Sequence, residues 1–217
     1  MIRKLPRLRR RLCRDESGLA LVEFAMSLPI LLTLGLGGIE LSHYALAVER
    51  SSQIAMLVAD NAARVRDSID EVNINEVMSG AKFVGEGVKF AQNGRIILSS
   101  LEMNAAKNGQ WIRWQRCAGA KAVSSSYGVQ DKGKTDSSLQ GMGPTGNKVS
   151  AADGTALMFV EVFYDYQPIV PVDYLGVKNR TLHFTAAFNV RQRTNQALNN
   201  ASNLSGSKLS SCGLYSA

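Results

Sequence analysis

The chemistry legible in this sequence centres on Gly18 and Glu23. Glu23 is the fifth residue after Gly18 and the one formal charge between Leu19 and Ile39. A carboxylate in an apolar helix is costly and tends to be functional. Hydrolysis of the peptide bond after Gly18 would free a positive α-amine on Leu19. A glutamate at that spacing can pair with the amine of a neighbouring parallel helix, and in low dielectric such a pair sets axial stagger. The plainer alternative is a glutamate that snorkels to a membrane interface.

Other reactive side chains are few. His43 and His183 are the only histidines, far apart, and neither belongs to a cluster with metal-ligand spacing. Interface or surface roles fit them better. Glu161 and Asp165 are four apart on an expected strand, a spacing that puts them on one polar-tolerant face; surface exposure or cross-strand pairing with arginine is expected. No G-x-S-x-G, H-E-x-x-H or phosphate-loop pattern is present. The sequence therefore predicts no catalytic residue, no cofactor and no metal.

The elements that must position Glu23 are plain. Arg3, Lys4, Arg7, Arg9, Arg10, Arg11 and Arg14 form a basic leader with no acid before Asp15. The chain has 217 residues and net charge +7; without those seven, 18 basic residues face 18 acidic ones. The excess is thus a tail and not a basic face, which argues against nucleic-acid binding. Leu19 to Ile39 is an apolar run of the about 20 residues that a helix needs to span a bilayer. Only Arg50 follows within 20 residues, so the positive-inside rule puts the N-terminus in the cytoplasm and the bulk of the chain outside. The run is too long for an ordinary cleaved signal. Basic segment, Gly18, apolar residues and Glu23 make the layout of a prepilin-type leader.

The stretch from Gly18 to about Arg64, with Val22-Glu23-Phe24-Ala25, Leu28-Pro29 and Gly38-Ile39-Glu40-Leu41, resembles the head of the TadE-like family. Weaker matches follow at Trp114-Gln-Arg-Cys117 and from Val160 to Val170. The resemblance implies a minor pseudopilin of tight-adherence (Flp) pilus assembly, a non-enzymatic bacterial component anchored by its N-terminal helix. Phe24 stands where major Flp pilins typically carry Tyr, which implies a minor subunit.

Beyond the span, Ile54, Leu57, Val58, Ala62 and Val65 make one helical stripe, so the helix should continue as an amphipathic extension. Leu19 to Val65 would be ~70 Å long at 1.5 Å per residue. Pro29 should bend the span, and Gly35, Gly37 and Gly38 permit close helix packing. A second helix is expected from Asp70 to Phe83. The turn signals Asn93-Gly94 and Asn108-Gly109 bracket strands over 95–103 and 110–117, a hairpin. Trp111 and Trp114 fall on opposite faces, so at least one should be core. Residues 118–154, with seven Gly and six Ser, read as a long solvated loop. Residues 156–166 are apolar on both faces, as in a central strand, and 180–191 alternate like a half-buried antiparallel one. Residues 167–179 read as a Pro-bearing connection, and 192–217 as a peripheral tail unless pinned.

The expected class is α+β and pilin-like: a long N-terminal transmembrane and amphipathic helix packed on a small antiparallel sheet. The expected divisions are a leader (1–18), the helix and its extension (19–66) and a periplasmic domain (67–217). With that topology Cys13 is cytoplasmic, while Cys117 and Cys212 share an oxidising space. They form either a disulfide that pins the tail or two lone thiols; setting Cys13 aside leaves an even count, which fits the disulfide. The expected processing site is Gly18 and Leu19, with Glu23 aligning subunits. The expected partners are the inner membrane, a prepilin peptidase, other pilins or pseudopilins and platform proteins, in the membrane or the pilus. An uncleaved single-pass anchor of an envelope complex is the alternative. A tethered enzyme has only loop 118–154 to draw on.

Overall fold

A computed structural model describes residues 17–170 and 180–217. The basic leader, Cys13 and most of the Pro-bearing connection lie outside the described residues. The chain divides into two compact units between His43 and Tyr44.

The first unit is the opening stretch of helix α1 (Ser17–Arg64). From Gly18 to Ile39 every residue but Ser27 is exposed, although almost all are apolar. This is the one described helix long and apolar enough to cross a membrane. Its hydroxyls bond to the preceding turn: Thr33 Oγ1 donates to the Pro29 carbonyl at 2.7 Å and Ser42 Oγ to that of Gly38 at 2.9 Å. Such internal bonds satisfy polar groups where no water is at hand. Helical structure runs through Pro29 without a break.

The second unit begins on the same helix. Ala47, Ser51, Ile54, Ala55, Val58, Ala59, Ala62 and Ala63 are buried. Their three- and four-residue spacing makes one face, and the alanines let backbone approach sheet closely. The following elements are β1 (Asp67–Asp70), α2 (Glu71–Val84), a short α3 (Phe90–Asn93), β2 (Gly94–Met103), β3 (Gln110–Ala118), β4 (Ala156–Asp165), β5 (Thr181–Asn189) and β6 (Arg193–Asn199). Asp70 starts α2 as a capping box: its carboxylate accepts from Val72 N at 3.0 Å, and Asn73 Oδ1 accepts from Asp70 N at 3.1 Å.

The main sheet is antiparallel, in the order β3-β2-β4-β5. β4 is central, as its two apolar faces predict. One face (Ile96, Leu98, Met158, Val160, Val162, Tyr164) packs on the buried face of α1. Trp114 joins this core, and its Nε1 donates to the Gln196 carbonyl at 3.1 Å. Trp111 is only partly buried.

The other sheet face corrects the expectation of a solvated loop. Leu139, Met142 and Ala151 of segment 118–154 are buried against Leu101, Ile112, Leu157 and Phe159, with Tyr127 edge-on to Phe159 at 5.3 Å. Few in number, these apolar residues are placed to cover a sheet face that no helix covers. The segment holds its shape with a single Met142–Val149 bridge and glycines at positive φ. At Gly133 (φ +77) a Cβ would lie 2.0 Å from the Gln110 carbonyl oxygen.

The Asn- and Ser-rich end differs too. β6 pairs in parallel with β1, with two register irregularities. Neither strand shows a period-2 apolar pattern, so sequence periodicity has nothing to detect.

Candidate functional site

The candidate site is the head of α1. Gly18 and Leu19 are helical, and the Gly18–Leu19 bond lies in the first described turn. Among the described residues, nothing beyond its own helical turn comes within 4 Å of a Cβ built on Gly18. Leu19 is 69% exposed, and Glu23 is exposed one helical turn further on. Residues four apart share a helix face, so the Leu19 nitrogen and the Glu23 carboxylate lie on one side. Gly35, Gly37 and Gly38 likewise have no atom within 4 Å of a built Cβ. This surface offers a partner an apolar wall, one carboxylate and a patch without side chains. It can pack and pair; it holds no nucleophile–base couple.

The remaining candidates lie in the second unit. Cys117 and Cys212 are joined as a disulfide across 95 residues. Beside it, Arg95 is wholly buried and spreads its guanidinium over three carbonyls: Gly119 at 2.8 Å, Cys212 at 2.7 Å and Leu214 at 2.6 Å. The Tyr215 ring lies 4.3 Å from the guanidinium carbon. Burial lowers the Arg95 pKa, with the Tyr215 charge opposing. The last residues are therefore pinned to β2 and β3, and are not a loose tail. Two further arginines are held elsewhere in the unit: Arg116 grips Glu71 through both carboxylate oxygens, and Arg193 is buried against the Ala62 carbonyl (3.2 Å) and Gln196 (3.0 Å). Burial brings Arg193 down to about 10, with Glu102 opposing, so it stays charged near neutral pH.

The carboxylate pair on β4 corrects the surface expectation. Glu161 is wholly buried. Its oxygens accept from Ser126 N at 2.9 Å and from Ser125 Oγ, and His183 Nε2 lies 3.6 Å away. Serines of the covering segment, not arginines, satisfy it. Asp165 is clasped by Lys121 and accepts from Thr181 Oγ1 at 2.6 Å. Burial pushes its pKa up, but the Lys121 and Thr181 bonds and the Lys121 charge outweigh this and leave it lowered. His183 stacks on Phe163 with ring centroids 4.2 Å apart. His43 sits partly buried on α1, remote in sequence from this group. Among the described residues no three potential ligands gather for a metal. A cleft of about 350 Å³ between α2 and the C-terminal segment, lined by Asn75, Ser79, Lys82, Ser210 and Ser211, is open and holds no acid–base couple.

Arg95 and the Glu71–Arg116 pair had no signal in the sequence, because their partners are backbone carbonyls or a residue dozens of positions away; Arg193 has Gln196 three residues on, but its burial against the Ala62 carbonyl is equally long-range.

Fold and site together define an α+β protein with one described helix apolar enough to cross a membrane, whose second half is the core of the folded domain. Residues 18–65 match the model of the TadE-like protein family. No curated protein and no solved structure matches the chain.

Proposed function

We propose that the chain is a minor pseudopilin-like structural subunit of tight-adherence pilus assembly, anchored in the inner membrane, with residues 44–217 on the outer side. The observation that carries this reading is the coincidence of the TadE-like match with α1, whose first half is an unburied apolar helix and whose second half is a domain core. A prepilin peptidase cuts between Gly18 and Leu19. The freed Leu19 amine of one subunit then meets Glu23 of its neighbour, and the Gly35–Gly38 stretch lets the helices close together. The chain itself has no enzymatic role. Cys117 and Cys212 fit an oxidising compartment.

The test is topology and assembly in one strain. Protease added to spheroplasts should digest residues 44–217 and spare the N-terminus, and Glu23→Leu should leave the chain in the membrane while abolishing pilus assembly. Protection of the domain in spheroplasts would refute the orientation. Normal assembly with Glu23→Leu would refute the alignment role. One observation favours the uncleaved-anchor reading: the Gly18–Leu19 bond is helical, and a peptidase must unwind it. Under that reading Glu23 pairs within a membrane bundle.

A further inference from the structure

The main sheet has two edges, and the chain treats them differently. The outer edge of β3 is covered. Gln110 N donates to the Leu139 carbonyl at 2.7 Å, Ile112 N to that of Lys132 at 3.0 Å, Asp131 N to that of Ile112 at 2.8 Å and Cys117 N to that of Ser210 at 2.7 Å. Segment 118–154 and the C-terminal residues thus act as an irregular extra strand.

β5 has no such cover among the described residues. Its register against β4 is unbroken over residues 181–189. Tyr166 N donates to the Arg180 carbonyl at 3.0 Å and Val190 N to that of Ala156 at 2.9 Å, so the even-numbered residues form the hydrogen-bonded pairs with β4. The N–H and C=O groups of Thr181, His183, Thr185, Ala187 and Asn189 consequently point away from the sheet. Proteins usually blunt an edge this long with Lys, Pro or a bulge. Residues 181–189 contain none of these. Phe184, Ala186 and Phe188 pack on the main core but stay only partly buried, so apolar surface reaches the edge uncovered.

We propose that β5 accepts an extended segment of a partner protein, which adds to the sheet as a fifth strand. Backbone bonds to the five outward residues supply affinity, and side chains on the two faces supply selection. Positions facing Leu182, Phe184, Ala186 and Phe188 take apolar residues; those beside His183 and Thr185 take small polar ones. Arg180 and Arg191 flank the edge, and no acid lies from 180 to 193, so the segment carries acidic ends. Arg191 already has Asp60 at 3.5 Å, which leaves Arg180 the stronger contributor. A second copy fits poorly: antiparallel β5–β5 pairing would bring Arg180 of one copy towards Arg191 of the other, like charges with no acid between 180 and 193 to offset them.

The test uses the full chain in detergent and a synthetic peptide of alternating Thr and Val with Glu at each end. Backbone amide exchange is followed residue by residue. Exchange at Thr181, His183, Thr185, Ala187 and Asn189 should slow by about tenfold or more, while the even-numbered amides keep their rates. The same peptide with Lys ends should protect less, and one N-methylated on alternate residues should not protect. Thr185→Pro removes an outward N–H and no ladder bond, and should weaken protection; if it misfolds, the N-methylated peptide makes the same test. No slowing at millimolar peptide, or equal slowing by the Lys-ended peptide, would overturn the proposal. Protection that needs no peptide and grows with protein concentration would also overturn it, in favour of a second copy.

Discussion

Opening the Cys117–Cys212 bond should destabilise the domain without unfolding it. The bond closes a loop across 95 residues. In the chain-entropy model such a closure is worth about 4–5 kcal/mol, an upper figure because a compact denatured chain has less freedom to lose. The structure also says what remains when it opens. Arg95 still holds the carbonyls of Cys212 and Leu214, and Cys117 N still donates to Ser210. The reduced protein should therefore fold, with the C-terminal segment in place but a lower unfolding midpoint. The assay is urea unfolding of the full chain in detergent, oxidised and reduced, followed by tryptophan emission, since Trp114 is buried in the main core. Cys117→Ser with Cys212→Ser should match the reduced protein. Adding Arg95→Leu to the double variant should cost more than in the oxidised chain, because the bond no longer holds the segment near. Equal midpoints for oxidised and reduced protein would refute the reasoning, and so would an Arg95→Leu effect independent of the bond.

Three further outcomes follow from the geometry. Ile54→Ala leaves a cavity between α1 and the sheet and should cost about 2–5 kcal/mol in the same unfolding assay, whereas Leu31→Ala, exposed on the first unit, should change it by less than about 0.5 kcal/mol. Gly119→Ala puts a Cβ 2.3 Å from the Gly94 carbonyl at a φ of +103, and should cost about 1–3 kcal/mol; an unchanged midpoint would deny the strain. Asp165 has a folded pKa below its unfolded one, so its contribution is present above the ordinary value near ~3.9 and is lost as pH falls through the folded value. Asp165→Asn should remove that part of the acid loss, seen as a flatter stability profile on the acid side.

The sequence carried the parts of the fold that repeat with a period. The helical stripe from Ile54 to Val65, the Asp70 start of α2 and the turn at Asn108-Gly109 follow from local rules; Asn93-Gly94 marks a boundary, the end of α3 and start of β2, and β4 shows its central place by being apolar on both faces. What escaped was non-periodic. The covering role of 118–154 rests on Leu139, Met142 and Ala151, too widely spaced to read as an element. The β1–β6 pair joins segments more than 120 residues apart, with an irregular register. Glu161 reads as a surface acid because the serines that satisfy it arrive from a loop. The head of α1 is legible because Gly18 and Glu23 are defined by spacing and charge alone.

The central claim is that this chain is a processed, filament-type subunit, and its mature N-terminus tests that most directly. The full chain is to be expressed with and without a prepilin peptidase and its terminal residue read by mass spectrometry. A peptidase-dependent terminus at Leu19 is the predicted result and gives Glu23 its partner amine. An intact Met1 in the presence of active peptidase would contradict the claim and leave the uncleaved anchor as the account of the chain.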